Sequence, residues 1–397
     1  AYRRRRRLPR WRGSWVPASS IGWRAGGLSA APCNIIWFVS TSTSISPAER
    51  GSRTVLVLYN CDYDEELTSV EGVDESAVKL AAAAVVEAVR GYGFQSELIA
   101  VQGTDIIDVL TDVQRQEPDL VFNLCESLNG DARNEVVVPA VLDMLRLPYT
   151  GSGPLCLGMC LHKERCKEVL TARGIATPGY RILHSAADVD ALAAADLRFP
   201  LFLKLAHEDA SIGIEESNVC ADVDAVRVRA AAMLERYRMP LVCEEFIAGR
   251  EVNVTLLGNG DELRVLPLYE IDFRDMPDDR PNIISYAAKW DESHVDYEGT
   301  KPVPMKGVTP ELAAAIESTA RAAFEAMGLA DFGRVDLRID ADGTPWVIDV
   351  NPNCDLSDDA GFARSARAGG LDYPDLIGRI CEVAWNRHAR TPQPRID

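Results

Sequence analysis

The sequence predicts a mixed α/β and α+β protein, with a parallel-sheet portion first and smaller strand-rich portions after it. Three observations carry this. Over residues 54–150, short apolar runs alternate with helical stretches, the β-α-β-α-β rhythm of a parallel sheet with helices on its faces. From residue 241 onward strands dominate, with one long helical stretch among them. The chain has 397 residues, 47% hydrophobic and 26% charged, which suits two or three globular domains.

The elements follow in order. Residues 1–50 carry nine Arg and one Glu, including the run Arg3 to Arg7. With aperiodic Gly, Ser, Pro and Trp after it, residues 1–53 read as a leader outside the fold. That leader is a disordered segment or translated sequence upstream of the true start, with a basic targeting arm as the alternative. Asn34–Val39 is too short and too polar at its flanks for a signal-peptide core. Thr54–Tyr59 is the first strand, the alanine-rich stretch Glu75–Gly91 a helix, and Phe94–Val101 the second strand. A helix near Thr104–Gln116, a buried strand Asp119–Leu124, a helix Glu135–Leu145 and a short strand Leu147–Thr150 follow. Leu161–Ala172 is helical until Gly174 and Pro178 break it. Phe199–Lys204 and Leu241–Phe246 read as strands flanking a helix at about Asp222–Tyr237. The last portion offers strands Glu251–Leu257, Leu263–Tyr269, Arg334–Ile339 and Trp346–Val350, with a helix at Thr309–Met327. The end after His388 reads as a frayed tail.

Composition excludes some functions. A formal net charge of −18 argues against non-specific nucleic-acid binding. No apolar run approaches the ~20 residues a membrane span needs. Ten Cys are scattered without the paired short spacings of zinc sites, even at Cys156, Cys160 and Cys166. Buried free thiols in a reducing cytoplasm are the expectation.

The residues that carry chemistry cluster near the C-terminus. Arg334 and Asp336 share one face of a strand, and Asp349 and Asn351 share one face of the next. Asp340-Ala341-Asp342-Gly343 is the turn signal between them. Antiparallel pairing can therefore converge three oxygen ligands, Asp336, Asp349 and Asn351, which suits Mg²⁺ shared with substrate phosphates. Carboxylates inside apolar strands are costly without such a partner. Lys204 ends an apolar strand just before a turn holding Ser211 and Gly213, where backbone N–H groups can meet phosphate oxygens. Lys163 follows the Gly151-Ser152-Gly153 turn. Glu244 and Glu245 end a strand and enter a hinge at Gly249, placed to accept hydrogen bonds from an adenine amino group or ribose hydroxyls.

Taken together, these segments resemble the ATP-grasp superfamily, most closely D-alanine–D-alanine ligases, over residues 54–388. The resemblance rests on Val121–Glu126, Leu147–Gly153, Phe199–Lys204, Glu244–Glu251, Tyr286–Lys289 and the Arg334/Asp336/Asp349/Asn351 set, in that order. It implies an ATP-grasp fold: an N-terminal parallel-sheet substrate domain over 54–160, a central lid domain over 161–247, a catalytic lobe over 248–388 and a tail over 389–397. Position by position it implies that Lys163 and Lys204 meet ATP phosphates, with Ser211 and Gly213 in the loop above them. Glu244, Glu245 and Ile247 correspond to the adenine hinge, Glu251 to the ribose acid, and Lys289 to a lysine closing over the γ-phosphate. Asp336, Asp349 and Asn351 correspond to ligands of two Mg²⁺ ions, with Mn²⁺ as a substitute, and Arg334 to the arginine beside the tetrahedral intermediate. Asp349 stands where the family more usually has Glu. The implied reaction is ATP-dependent ligation of a carboxylate to an amine through an acyl phosphate, in the cytoplasm, on amino-acid or peptide substrates, by a homodimer.

Departures fall on the substrate side. Where the family has a Ser-x-Glu motif after the first strand, this chain reads Tyr59–Asp64, leaving Glu75 or Asp74 to serve. Glu126-Ser127 replaces a His-Gly, so Glu126 and the polar loop after it become substrate candidates, as does Tyr286. After Asn351 a glycine position is Asp355 and a serine position is Ala360. Asp355, Asp358 and Asp359 would repel a carboxylate and favour a cationic amine substrate. The alternatives are therefore another ATP-grasp amino-acid or peptide ligase with such a substrate, and, from a different class, a nucleotide-binding regulatory protein without ligase activity. The retained lysines, Arg334 and metal set speak against the latter.

Overall fold

The computed structural model describes residues 46–61, 75–194, 196–291 and 293–390. A short helix α1 (Pro47–Arg50) precedes strand β1 (Thr54–Asn60), helix α2 (Glu75–Tyr92), strand β2 (Gln95–Val101), helix α3 (Ile106–Arg115), strand β3 (Leu120–Asn123) and helix α4 (Val137–Leu145). The three strands form an all-parallel sheet in the order β2-β1-β3. Alternate residues of β1 serve opposite faces, as the pleat requires. Val55 and Val57 pack with Phe122 toward one helical layer, whereas Leu56 and Leu58 pack with Leu110 and Leu142 in a separate core. The expected strand at 147–150 reduces to one parallel bridge, Val121 to Tyr149. Pro148 has no N–H to extend the ladder, and Gly151 turns the chain away at φ +86°.

Residues 46–53, assigned to the leader from sequence, dock onto the fold instead. Arg50 pairs with Glu382 at 3.1 Å and lies over the Tyr92 ring, while Arg53 stacks over Trp385. Cation–π contacts of this kind strengthen where they are partly desolvated.

Helix α5 (Pro154–Leu161), which the sequence reading did not include, precedes helix α6 (Lys163–Ala172), and His162 takes a non-helical conformation between them. Strand β4 (Tyr180–Leu183), strand β5 (Leu201–Leu205), strand β6 (Val219–Cys220), helix α7 (Val223–Tyr237) and strand β7 (Leu241–Glu245) make a small lobe. Its sheet is antiparallel in the order β4-β7-β5-β6. Asp222 caps α7 by accepting from the Ala225 amide at 2.9 Å, which fixes the helix start.

The largest sheet holds strand β8 (Arg250–Leu257), strand β9 (Arg264–Val265), strand β10 (Tyr269–Asp272), strand β11 (Lys301–Pro304), strand β12 (Phe332–Ile339) and strand β13 (Pro345–Asn351). It is antiparallel in the order β11-β10-β8-β12-β13, with β9 also on β8. The strand expected over 263–269 is two pieces on one side of β8, interrupted where Pro267 offers no donor. Two short helices, α8 (Tyr286–Trp290) and α9 (Val295–Gly299), lie in the connection before β11. Helix α10 (Pro310–Met327) begins with Thr309 capping the Leu312 amide and covers this sheet through Ile316, Ala320 and Phe324. Helix α11 (Gly361–Ala368) and helix α12 (Tyr373–Arg390) return to the N-terminal sheet, where Ile377 and Ile380 join its core. The nine described cysteines are free and eight of them are buried. No helix among the described residues is long and apolar enough to cross a membrane.

Candidate active site

The β12–β13 hairpin builds the acidic end of the cleft. Register places Arg334 opposite Asn351 and Asp336 opposite Asp349, and a bulge follows between Asp336 and Leu337. On its other side Asp336 pairs with Asn253 of β8. Its carboxylate accepts from Arg334 at 2.8 and 3.0 Å, from Asn253 at 2.7 Å and from Asn351 at 2.9 Å. Burial alone would raise the Asp349 pKa, but Lys163, Lys204 and Arg334 outweigh it and hold the carboxylate below its usual range. Burial likewise works against the Arg334 charge, and Asp336 more than restores it. The donor set here, two carboxylates and an amide oxygen, is the hard-oxygen chemistry that Mg²⁺ takes.

Two lysines approach this end from the small lobe and from α6. Lys204, on β5, donates to the Ile348 carbonyl at 2.8 Å, so the two antiparallel sheets meet at this point. Lys163 lies 3.8 Å from Asp349 and 2.6 Å from Asp209. Its burial disfavours charge, yet those two carboxylates raise its pKa overall. A narrow cleft lined by Lys163, Lys167, Lys204 and Asp349 runs between the lobes.

The hinge side holds Glu244, which is 3% exposed. Its Oε1 pairs with Lys204 at 2.8 Å and its Oε2 with Lys167 at 2.6 Å, the latter outside hydrogen-bond geometry. Burial would raise its pKa, but the two lysines win and lower it. Glu245 turns the opposite way and is held by Arg198 at 2.8 Å. Ile247 is buried just beyond. Gly249 then takes φ +138°, and a Cβ there would sit 1.9 Å from the Ile339 carbonyl oxygen. Only glycine permits this close crossing of the hinge over β12. Glu251 pairs with Arg338 at 2.9 Å, and burial raises its pKa. A cavity of about 380 Å³ opens beside the hinge, lined by Phe246, Gly249, Phe273, Arg280 and Arg338 among others.

Two covers meet above the cleft. The loop after β5 curls through positive φ at Ala210, Ser211 and Gly213. Helix α8 is fastened to it: the Tyr286 amide donates to the Ile214 carbonyl at 2.9 Å, and Trp290 Nε1 to the Ala210 carbonyl at 3.2 Å. Lys289 therefore hangs from a segment joined to the Ser211–Gly213 loop. Surrounding protein first, and the Arg334 charge second, lower its pKa. The Tyr286 ring is exposed and packs against Trp290.

On the substrate side Glu126 and Asp355 come together. Glu126 keeps contact with solvent, and the surrounding protein, then Asp355 and Asp209, raise its pKa. Glu135, at the end of the polar loop 126–135, is buried and raised to about 8 by desolvation and then by Asp209. The three-acid argument for a cationic substrate weakens at Asp358, whose carboxylate is paired with Arg367. Glu75 opens α2, but its side chain lies outside the described residues, as does Asp74.

Lys167, Asn253 and Arg338 were missed. An i, i+4 spacing from Lys163 puts Lys167 on the same helix face, a signal the sequence did hold. Asn253 and Arg338 needed strand register to be seen.

The D-ala D-ala ligase C-terminus family model matches residues 169–382, more than half of the chain. The chain belongs to the D-alanine–D-alanine ligase family. Among relatives, a D-alanine–D-alanine ligase of Chromohalobacter salexigens is 32% identical over 274 residues, covering 69% of this chain and 80% of the relative. An uncharacterized Sinorhizobium fredii protein is 33% identical over 270 residues, covering 68% and 75%. A crystal structure of a Bacillus anthracis D-alanine–D-alanine ligase complexed with ATP aligns with TM-score 0.64 at 20% identity, over 86% of this chain and all of that one. The likeness establishes the ATP-grasp fold, with its N-terminal parallel sheet and two antiparallel lobes. As a member of this ligase family the chain is an ATP-dependent enzyme that forms C–N bonds.

Proposed function

We propose that the enzyme joins two amino-acid substrates of the D-alanine class through an acyl phosphate. The observation that carries this reading is the single floor on which Asp336, Asp349, Asn351 and Arg334 meet Lys163 and Lys204. The parallel-sheet region 54–160 serves as substrate domain, 161–247 as lid and 248–388 as catalytic lobe.

Lys163 and Lys204 neutralise phosphate oxygens, and Asp209 yields Lys163 when a phosphate arrives. Glu244, held between Lys167 and Lys204, faces the adenine amino group, with Glu245 and Ile247 lining the hinge. Glu251 takes the ribose. Asp336, Asp349 and Asn351 would hold the Mg²⁺ ions, which would supply charge neutralisation for the phosphates. One substrate carboxylate attacks the γ-phosphorus, ADP leaves, and the second substrate's amine displaces phosphate from the acyl carbon. Arg334 stabilises the oxyanion of that second step, worth about 3–4 kcal/mol for a well-aimed donor. Lys289 and the Ser211–Gly213 loop exclude water that would hydrolyse the acyl phosphate. Glu126, Asp355 and Glu135 face the substrate ammonium groups, with Glu75 and Tyr286 further out.

Phosphate release with ATP, Mg²⁺ and D-alanine tests the reading, with Asp336→Asn as control. Release that depends on D-alanine and vanishes in the variant supports it. Strong release only with a cationic amine would move the enzyme to the second ligase reading. ATP binding with no release across an amino-acid panel would leave a nucleotide-binding regulator.

A further inference from the structure

Outside the nucleotide floor, His162, Glu164 and His207 bring one ligand atom each within 4.8 Å of one another. His162 Nδ1 and His207 Nε2 both lie 3.2 Å from the same oxygen, Glu164 Oε1. Glu164 Oε2 is buried and has no hydrogen-bond partner. As a hydrogen-bonded triad this is poor economy: two imidazoles spend their donors on one oxygen while its twin has none. As a metal site the same numbers fit. Ligands at about 2.0–2.1 Å from a tetrahedral zinc stand about 3.3 Å apart along each edge. We propose that His162, Glu164 and His207 form a binding site for a divalent transition metal of the zinc class.

Two imidazoles and one carboxylate suit such ions better than they suit Mg²⁺, which prefers an all-oxygen shell. The His162 and His207 side chains are 40% and 18% exposed, so a fourth position stays open to water. The ligands come from two segments already tied by backbone. The Lys163 amide donates to the Ala206 carbonyl at 3.0 Å, and the His162 and His207 rings lie 4.1 Å apart between centroids. His162 is the break between α5 and α6, and His207 opens the loop that carries Asp209, Ser211 and Gly213. A metal here pins the root of that loop to the start of α6, next to Lys163. Its role is to fix the cover loop, separate from the Mg²⁺ positions at Asp336 and Asp349.

The test titrates Co²⁺, then competing Zn²⁺, into full-length chelator-treated protein in excess Mg²⁺, reading the visible d–d bands. Wild type should bind one equivalent with tetrahedral-type bands and no thiolate charge-transfer absorption. Affinity should fall at least about 100-fold in His207→Ala and in Glu164→Gln. Asp336→Asn should keep the bands. Hydrogen exchange over residues 206–213 should slow with Zn²⁺ in wild type and not in the variants. Circular dichroism confirms that each variant is folded. Absence of d–d bands in wild type, their persistence in both ligand variants, their loss in Asp336→Asn, or a thiolate signature would each overturn the proposal.

Discussion

Glu244 is the sharpest place to perturb the nucleotide cleft. Its carboxylate is enclosed between Lys167 and Lys204 at 2.6 and 2.8 Å. Glu244→Gln keeps the shape and removes the charge, leaving two ammonium groups beside a neutral amide. Breaking a buried ion pair from one side costs about 3–5 kcal/mol, and retained shape places this case near about 3 kcal/mol. In a chain of this size that lowers the thermal midpoint by roughly 3–4 °C. The deficit has a pH signature. Burial already lowers the Lys167 pKa, with Lys204 adding to it and Glu244 opposing it. Without Glu244 the folded-state value drops further below the unfolded value of about 10.4. Between those two values the unfolded chain binds more protons, so variant stability rises with pH. Below about pH 4 the gap also narrows, because the lowered Glu244 pKa stabilises the wild type only above that range. Thermal melts at pH 7 and 9.5 read both effects, and the KM for ATP should rise as Lys204 loses its fixed position. A variant as stable as wild type at both pH values would refute the claim that Glu244 organises the two lysines.

Other outcomes follow from the same geometry. Asp336→Asn should lower kcat/KM by at least about 10²–10³-fold, to no detectable phosphate release, since it weakens both the oxygen set and the Arg334 clamp. Glu135, buried and raised from 4.5 to about 8, makes the folded state less stable as pH climbs from about 4.3 to 8, so Glu135→Gln should flatten that decline by on the order of 3–5 kcal/mol in melts across the range. Gly249→Ala should destabilise by well over about 1 kcal/mol in urea, because its Cβ meets the Ile339 carbonyl at a φ other residues avoid.

Much of this was legible in the sequence where one strand or turn decided it. Parity along Arg334–Asp336 and Asp349–Asn351, with Asp340–Gly343 as the turn, was enough to predict that these side chains converge, and the register agrees. Asn253 was not legible, because its place opposite Asp336 depends on β8 and β12 being neighbours across a gap of some eighty residues. The same holds for the fastening of α8 to the Ala210–Ile214 loop and for the meeting of His162 with His207. Residues 46–53 were set aside on composition, and a long-range pair, Arg50 with Glu382, corrected that. Asp358 misled for a related reason: its neutralising partner, Arg367, lies further along the chain on α11. Local periodicity resolves elements, and only the assembled sheets decide which charges face each other.

The most direct measurement of the central claim follows oxygen. With D-alanine labelled by ¹⁸O in its carboxylate, attack on the γ-phosphorus carries a substrate oxygen into the phosphate released when the amine displaces it. The account predicts one ¹⁸O in each phosphate, formed together with ADP and an amide-linked dipeptide, and none of the three with Asp336→Asn. Phosphate that carries only solvent oxygen, with no dipeptide in the mass spectrum, would contradict ligation through an acyl phosphate.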